Sequence, residues 1–199
     1  TFLKKNNNTT LESILDSVPD WMSLFKQSQV PMHGLMISTA FGCNYEGKIE
    51  TEVALRIIKN FYNKCIDAGG TISEISLADT MGWGTPDSVK RLIDAVRQEC
   101  PSAEISLHLH DTRGSGMANV YAGLEEGIEI FDTSIAGMGG CPFARGAAGN
   151  VPTEDVVYLC ESMGVTTGIN LEACVEAAKF AEDIIGSPLP GKYYKTINL

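Results

Sequence analysis

"EISLHLHDT", residues 104–112, is a β-rich apolar run that closes on an acid and carries two of the chain's three histidines. Runs of this length bounded by Gly, Pro or Asp fit strands buried on both faces, as in a parallel sheet. Three more lie along the chain: "VPMHGLMISTAF" (30–41), "ISEISLADT" (72–80) and "IEIFDTSIAG" (128–137). Helical patterns separate them. Residues 51–68 place apolar side chains at helical spacing. "TPDSVKRLIDAVRQEC" opens with Thr85 as N-cap and Pro86 at the first helical position. "GMANVYAGLEEG" stops at Gly127. "PTEDVVYLCESMG" pairs Thr153 as cap with an acidic first turn and stops at Gly164, and a last helix spans about 171–185.

The order is strand then helix, four times, at roughly 25–35 residues per unit, which predicts an α/β fold with parallel strands. A closed TIM (β/α)₈ barrel needs eight such units and about 250 residues. The 199-residue chain supplies four, so it reads as one domain, 1–199, forming the C-terminal part of a barrel. An open doubly wound sheet is the alternative, but no GxGxxG turn follows the first strand. The chain starts "TFLKKNNNTTLES", without Met, and runs straight into a capped helix, as if cut from something longer. A half barrel leaves two strand edges unpaired, so a poor monomer is expected unless missing chain or another copy covers them, and a homo-oligomer, a dimer, is the expectation.

Composition narrows the partners. Asp and Glu number 25 against 15 Lys and Arg, for a net charge of −10, and the bases form no stripe, which argues against nucleic acid. An anionic small substrate stays possible, because a local cation overrides an acidic average. No apolar run approaches the roughly 18–20 residues of a membrane span, and the N-terminus lacks a signal-peptide layout. Six dispersed cysteines without CxxC pairs read as reduced thiols in a cytoplasmic compartment, or in the mitochondrial matrix of a eukaryote.

Each predicted strand ends in polar residues: Ser38 and Thr39; Asp79 and Thr80; His108, His110 and Asp111; Asp132 and Ser134. That edge of a parallel sheet is where ligands bind. His108 and His110 are two apart, so both imidazoles project to one side of the strand and can hold a divalent metal through nitrogen. Two hydrogen-bonded histidines without metal are the alternative. "GMGGCPFARGAAGN", 137–150, is rich in Gly and Ala and reads as a mobile loop with Cys141 at its centre, a candidate proton donor or acceptor. Asn150 closes that loop, either as a turn former or as an oxygen ligand.

Together "HLHDTRG", "GMGGCPFARGAAGNVPTEDVVYLCESMGVTTGINL", "FGCNYEGKI" and "EISLADTMGWGTP" resemble the 3-hydroxy-3-methylglutaryl-CoA lyases, barrel-fold metal-dependent enzymes related to isopropylmalate synthase. The resemblance implies Mg²⁺ or Mn²⁺ held by His108, His110 and Asn150, with a further aspartate from a first strand that has no counterpart here. It implies an acyl-CoA substrate cleaved to acetyl-CoA and acetoacetate. His108 would ligate and shuttle a proton, Cys141 would protonate the enolate, and Asp79 would orient or assist the base. Ser38, Ser76, Thr80, Glu154 and Asp155 would contact substrate. The family's first-strand Arg-Asp-Gly is absent, so the chain alone is expected to be inactive. Met36 and Arg113 stand where the family commonly has aromatic residues. Another 3-hydroxyacyl-CoA such as citramalyl-CoA, an isopropylmalate-type condensation, and a catalytically silent half barrel are the alternatives.

Overall fold

The computed structural model describes residues 1–140 and 149–197. Its elements in chain order are α1 (Phe2–Asn7), α2 (Leu11–Ser28), β1 (Gly34–Ile37), β2 (Gly42–Cys43), β3 (Gly47–Lys48), α3 (Thr51–Asp67), β4 (Glu74–Ala78), α4 (Pro86–Glu99), β5 (Glu104–His108), α5 (Gly116–Glu125), β6 (Ile130–Asp132), α6 (Thr153–Ser162), α7 (Leu171–Ile185) and α8 (Tyr193–Thr196). Among the described residues, β1, β4, β5 and β6 form one parallel sheet in that order, and β2 and β3 form a separate two-stranded hairpin. The four β-rich segments are therefore the four sheet strands, each shorter than its apolar run.

Local chemistry starts and stops the helices. Thr10 caps α2 through the Ser13 amide. Thr85 and Ser88 form a reciprocal capping box at the start of α4, with Pro86 at its first position. Asn170 caps α7, and Gly186 ends it with a left-handed backbone. At α6 the expectation is corrected: Pro152 is the N-cap, and Thr153 is already helical. The Thr153 hydroxyl is instead paired with that of Thr133 at 2.8 Å. Helix α1 is an addition to the predicted pattern; Phe2 is buried there against Cys43 and Met81, which seats α1 beside the β2–β3 hairpin.

The two faces of the sheet differ. Leu35, Ile37, Ile75, Leu77, Ile105, Leu107 and Phe131 join the apolar core with Val89, Leu92, Ile93 and Val96 of α4. By strand alternation the opposite face carries Met36, Ser76, Ala78, Ser106, His108 and Asp132, which the register sets side by side: Met36 by Ser76 by Ser106, and Ala78 by His108 by Asp132. One face is thus a helix-covered core, and the other is lined by small and polar side chains. Five cysteines (Cys43, Cys65, Cys100, Cys160 and Cys174) are free and buried. No helix of the described residues is long and apolar enough to cross a membrane.

Candidate functional site

The polar face reaches its chemistry at the C-terminal end of β5. The His108 and His110 rings stand 5.2 Å apart between centroids, and their Nε2 atoms meet at 3.2 Å. His110 lies beyond the strand itself, held by an isolated antiparallel bridge to Asn150. Two backbone hydrogen bonds frame that bridge: Val151 N–H donates to the Leu109 carbonyl at 3.0 Å, and Asp111 N–H to the Gly149 carbonyl at 3.1 Å. The close of the glycine-rich segment is thereby laid against the two imidazoles. Gly149 makes this possible. It sits at φ +83°, and a Cβ there would collide with the Gly139 and Gly137 carbonyl oxygens.

Asn150 donates from Nδ2 to the Met138 carbonyl at 3.0 Å, which leaves its Oδ1 buried and unpartnered among the described residues. His110 is 5% exposed, and its Nδ1 is likewise unpartnered among them. Burial, and next the neighbouring His108, push the His110 pKa down to about 4, so the ring stays neutral with a nitrogen lone pair to offer. Two imidazoles, that of His110 neutral, with an amide side chain bridged beside them have the donor chemistry of part of a metal shell. Among the described residues no group of three or more His, Cys, Asp or Glu side chains completes one.

The other expected site residues divide. The Ser76 hydroxyl is buried on the same face as His108 and has no partner among the described residues. Ser38 is exposed just past the end of β1, and Thr80 accepts a hydrogen bond from the Thr39 amide at 2.9 Å. Asp79 does not join the imidazoles. It is fully buried, and its two oxygens accept from the Trp83 amide at 2.7 Å and the Gly84 amide at 2.8 Å, pinning the loop before α4. Burial raises its pKa to about 6 against the pull of those amides. Glu154 and Asp155 also lie elsewhere. Glu154 accepts from the Ala136 amide through Oε2, with its Oε1 buried and unpartnered among the described residues, and Asp155 accepts from the Lys192 and Tyr193 amides. Cys141 falls outside the described residues.

Sequence reasoning missed a rim cluster. Arg113 lies over the Trp83 ring at 4.5 Å, donates to the Met81 and Gly82 carbonyls, and shares Asn44 Oδ1 with the Trp83 indole N–H. The β2–β3 hairpin turn and the loops after β4 and β5 are joined through this one guanidinium. The arrangement became visible only when residues 44, 83 and 113 met in space.

A parallel α/β sheet with convergent imidazole and amide groups at its C-terminal edge defines the class of α/β proteins whose ligand site lies on that edge. Residues 1–181 match the family described as HMGL-like, and the chain belongs to that family. It is 41% identical over 180 residues to the mitochondrial hydroxymethylglutaryl-CoA lyase of Homo sapiens, a match covering 90% of this chain and 53% of that protein. The crystal structure of hydroxymethylglutaryl-CoA lyase from Pseudomonas aeruginosa superposes with a TM-score of 0.86 at 35% identity, over 98% of this chain and 63% of that one. An HMG-CoA lyase from Acinetobacter baumannii, solved in complex with coenzyme A and 3-methylmalate, superposes at 0.83 with 34% identity, over 96% and 60%. The chain spans about half the length of the curated relatives it matches.

Proposed function

We propose that the protein is a metal-dependent carbon–carbon lyase that cleaves 3-hydroxy-3-methylglutaryl-CoA to acetyl-CoA and acetoacetate, and that its four βα units are part of a (β/α)₈ barrel. The observation that carries the reading is the convergence of His108, His110 and Asn150 at the C-terminal edge of the sheet. Family membership and the coenzyme A and 3-methylmalate bound by a similar lyase support the choice of an acyl-CoA bearing a hydroxyl and a carboxylate.

His108 and His110 would hold Mg²⁺ or Mn²⁺ through nitrogen, with Asn150 adding its amide oxygen. A divalent cation there would supply Lewis acidity that lowers the pKa of the substrate's tertiary hydroxyl. All three protein ligands are neutral, so the anionic oxygens a hard cation prefers come from the substrate and from a carboxylate outside this cluster. For that reason the chain by itself is proposed to be inactive. The hydroxyl proton would be taken by His108 Nε2 when that nitrogen is not committed to the cation, and Cys141 would return a proton to the enolate once the carbon–carbon bond has broken. Asp79 is a positioning residue: it fixes the Trp83–Gly84 loop beside the site. Ser76 and Thr80 face or border the polar side and would orient substrate, as would the exposed Ser38.

The test is acetoacetate release from 3-hydroxy-3-methylglutaryl-CoA by the complete protein that contains this chain, with Mn²⁺ and after chelation. Activity that is lost with chelator, and lost by orders of magnitude in His110→Ala, is expected. Undiminished turnover in either case removes the metal reading. Cleavage of citramalyl-CoA in preference would keep the site and change the substrate.

A further inference from the structure

Asp132 is the last residue of β6, and its Cα is the register partner of His108. Its Oδ2 lies 3.2 Å from His108 Nδ1. The opposite nitrogen of the same ring, Nε2, is the one that meets His110 Nε2 at 3.2 Å. An ionised carboxylate accepts hydrogen bonds and cannot donate them, so this contact requires the proton on His108 Nδ1. A neutral imidazole has one N–H, and with it on Nδ1 the lone pair must sit on Nε2. His110 has no such device, since its Nδ1 finds no partner among the described residues.

We propose that Asp132 is a positioning residue that selects the Nδ1–H tautomer of His108 and holds its ring so that Nε2 faces the cluster. The tautomer claim stands on the Asp132–His108 contact alone; its consequence for ligand binding rests on the metal reading given above. Left to itself, a neutral histidine populates both tautomers, and only one presents a lone pair toward His110. A carboxylate on the far nitrogen removes the unproductive form before any ligand arrives, and it raises the basicity of the near nitrogen. Asp132 can do this from an accessible position: its side chain is about half exposed and lies at a strand end, so replacing it opens no core cavity.

The experiment is long-range ¹H–¹⁵N NMR on ¹⁵N-histidine-labelled protein at about pH 8, above the ordinary histidine range. The three histidines are assigned by single replacement. In the wild type, His108 Nδ1 should give a protonated, pyrrole-type nitrogen and Nε2 a bare, pyridine-type one. Asp132→Ala should shift His108 to a tautomer mixture. Asp132→Asn keeps an acceptor oxygen and should largely restore the wild-type pattern. Calorimetric Mn²⁺ titration of the complete protein that contains this chain should show affinity about 10- to 100-fold weaker in the Ala variant, with the Asn variant between. A bare Nδ1 in the wild type, or an Ala variant with unchanged nitrogen shifts, overturns the proposal. If the tautomer responds to Asp132 but no variant binds Mn²⁺, the metal reading fails while the positioning role stands. If Mn²⁺ binds and the tautomer ignores Asp132, the reverse holds.

Discussion

Replacing Asp79 by Asn should change how stability depends on pH, by an amount the structure sets. Asp79 is 0% exposed and accepts two backbone hydrogen bonds, which favour the carboxylate. Desolvation opposes them and is the larger effect, raising the pKa from 3.8 to about 6. Above about pH 6 the folded protein must therefore keep a buried carboxylate ionised, at a cost of about 3 kcal/mol relative to the unfolded chain. Below the unfolded value of 3.8 both states are protonated, and the cost disappears. Stability from this group is thus fully present below 3.8 and lost as pH rises through about 6. The amide of Asn does not titrate. Subtracting the unfolding free energy of the Asp79→Asn variant from that of the wild type cancels every other group. The remainder should move about 2 kcal/mol in the wild type's favour between about pH 7 and about pH 4.5. Urea unfolding at a series of pH values measures it. A remainder that is flat, or that falls on acidification, would refute the reasoning. The second result would mean that the Trp83 and Gly84 amides outweigh burial and hold the carboxyl below 3.8.

His110 should behave in the opposite sense. Its folded pKa is depressed from 6.5 to about 4, so its contribution is present above 6.5 and is lost as pH falls through about 4. In the same urea series His110→Gln should lose less stability on acidification than the wild type does. Gly149→Ala should be among the most damaging single-methyl changes, because the new Cβ meets the Gly139 carbonyl oxygen and the residue is at φ +83°. A loss of about 2 kcal/mol or more is expected by thermal unfolding, and a variant within about 0.5 kcal/mol of wild type would remove the close backbone approach from the account.

Much of the fold was legible because it depends on short-range pattern. The runs at 72–80 and 104–112 became β4 and β5 since Ile and Leu recurring at every second position, with small or polar residues between, suit a strand with one apolar face. The Thr85–Pro86 start and the Gly127 and Gly164 stops depend on one or two residues each, and they appear where the letters place them. Strand ends were less legible. The apolar run continues through Ala40 and Phe41, yet Thr39 turns at φ 56° and leaves the sheet. The histidine pair was readable from alternation alone, whereas the amide facing it was a choice between turn former and ligand.

Sequence by itself determined the parallel strands, the capped helices and the shared side of His108 and His110, because each follows from spacing within short stretches of chain. Tertiary structure decided which partners the acids meet. Asp79, Glu154 and Asp155 are expected at the site from their strand-end and helix-start positions, and the fold sets each of them against backbone amides. Asp132, without an assigned role in the sequence reading, reaches His108 across neighbouring strands. The reason is physical. A buried carboxylate must find donors wherever the fold happens to place them, and those donors come from residues that can be up to 38 positions away in the chain.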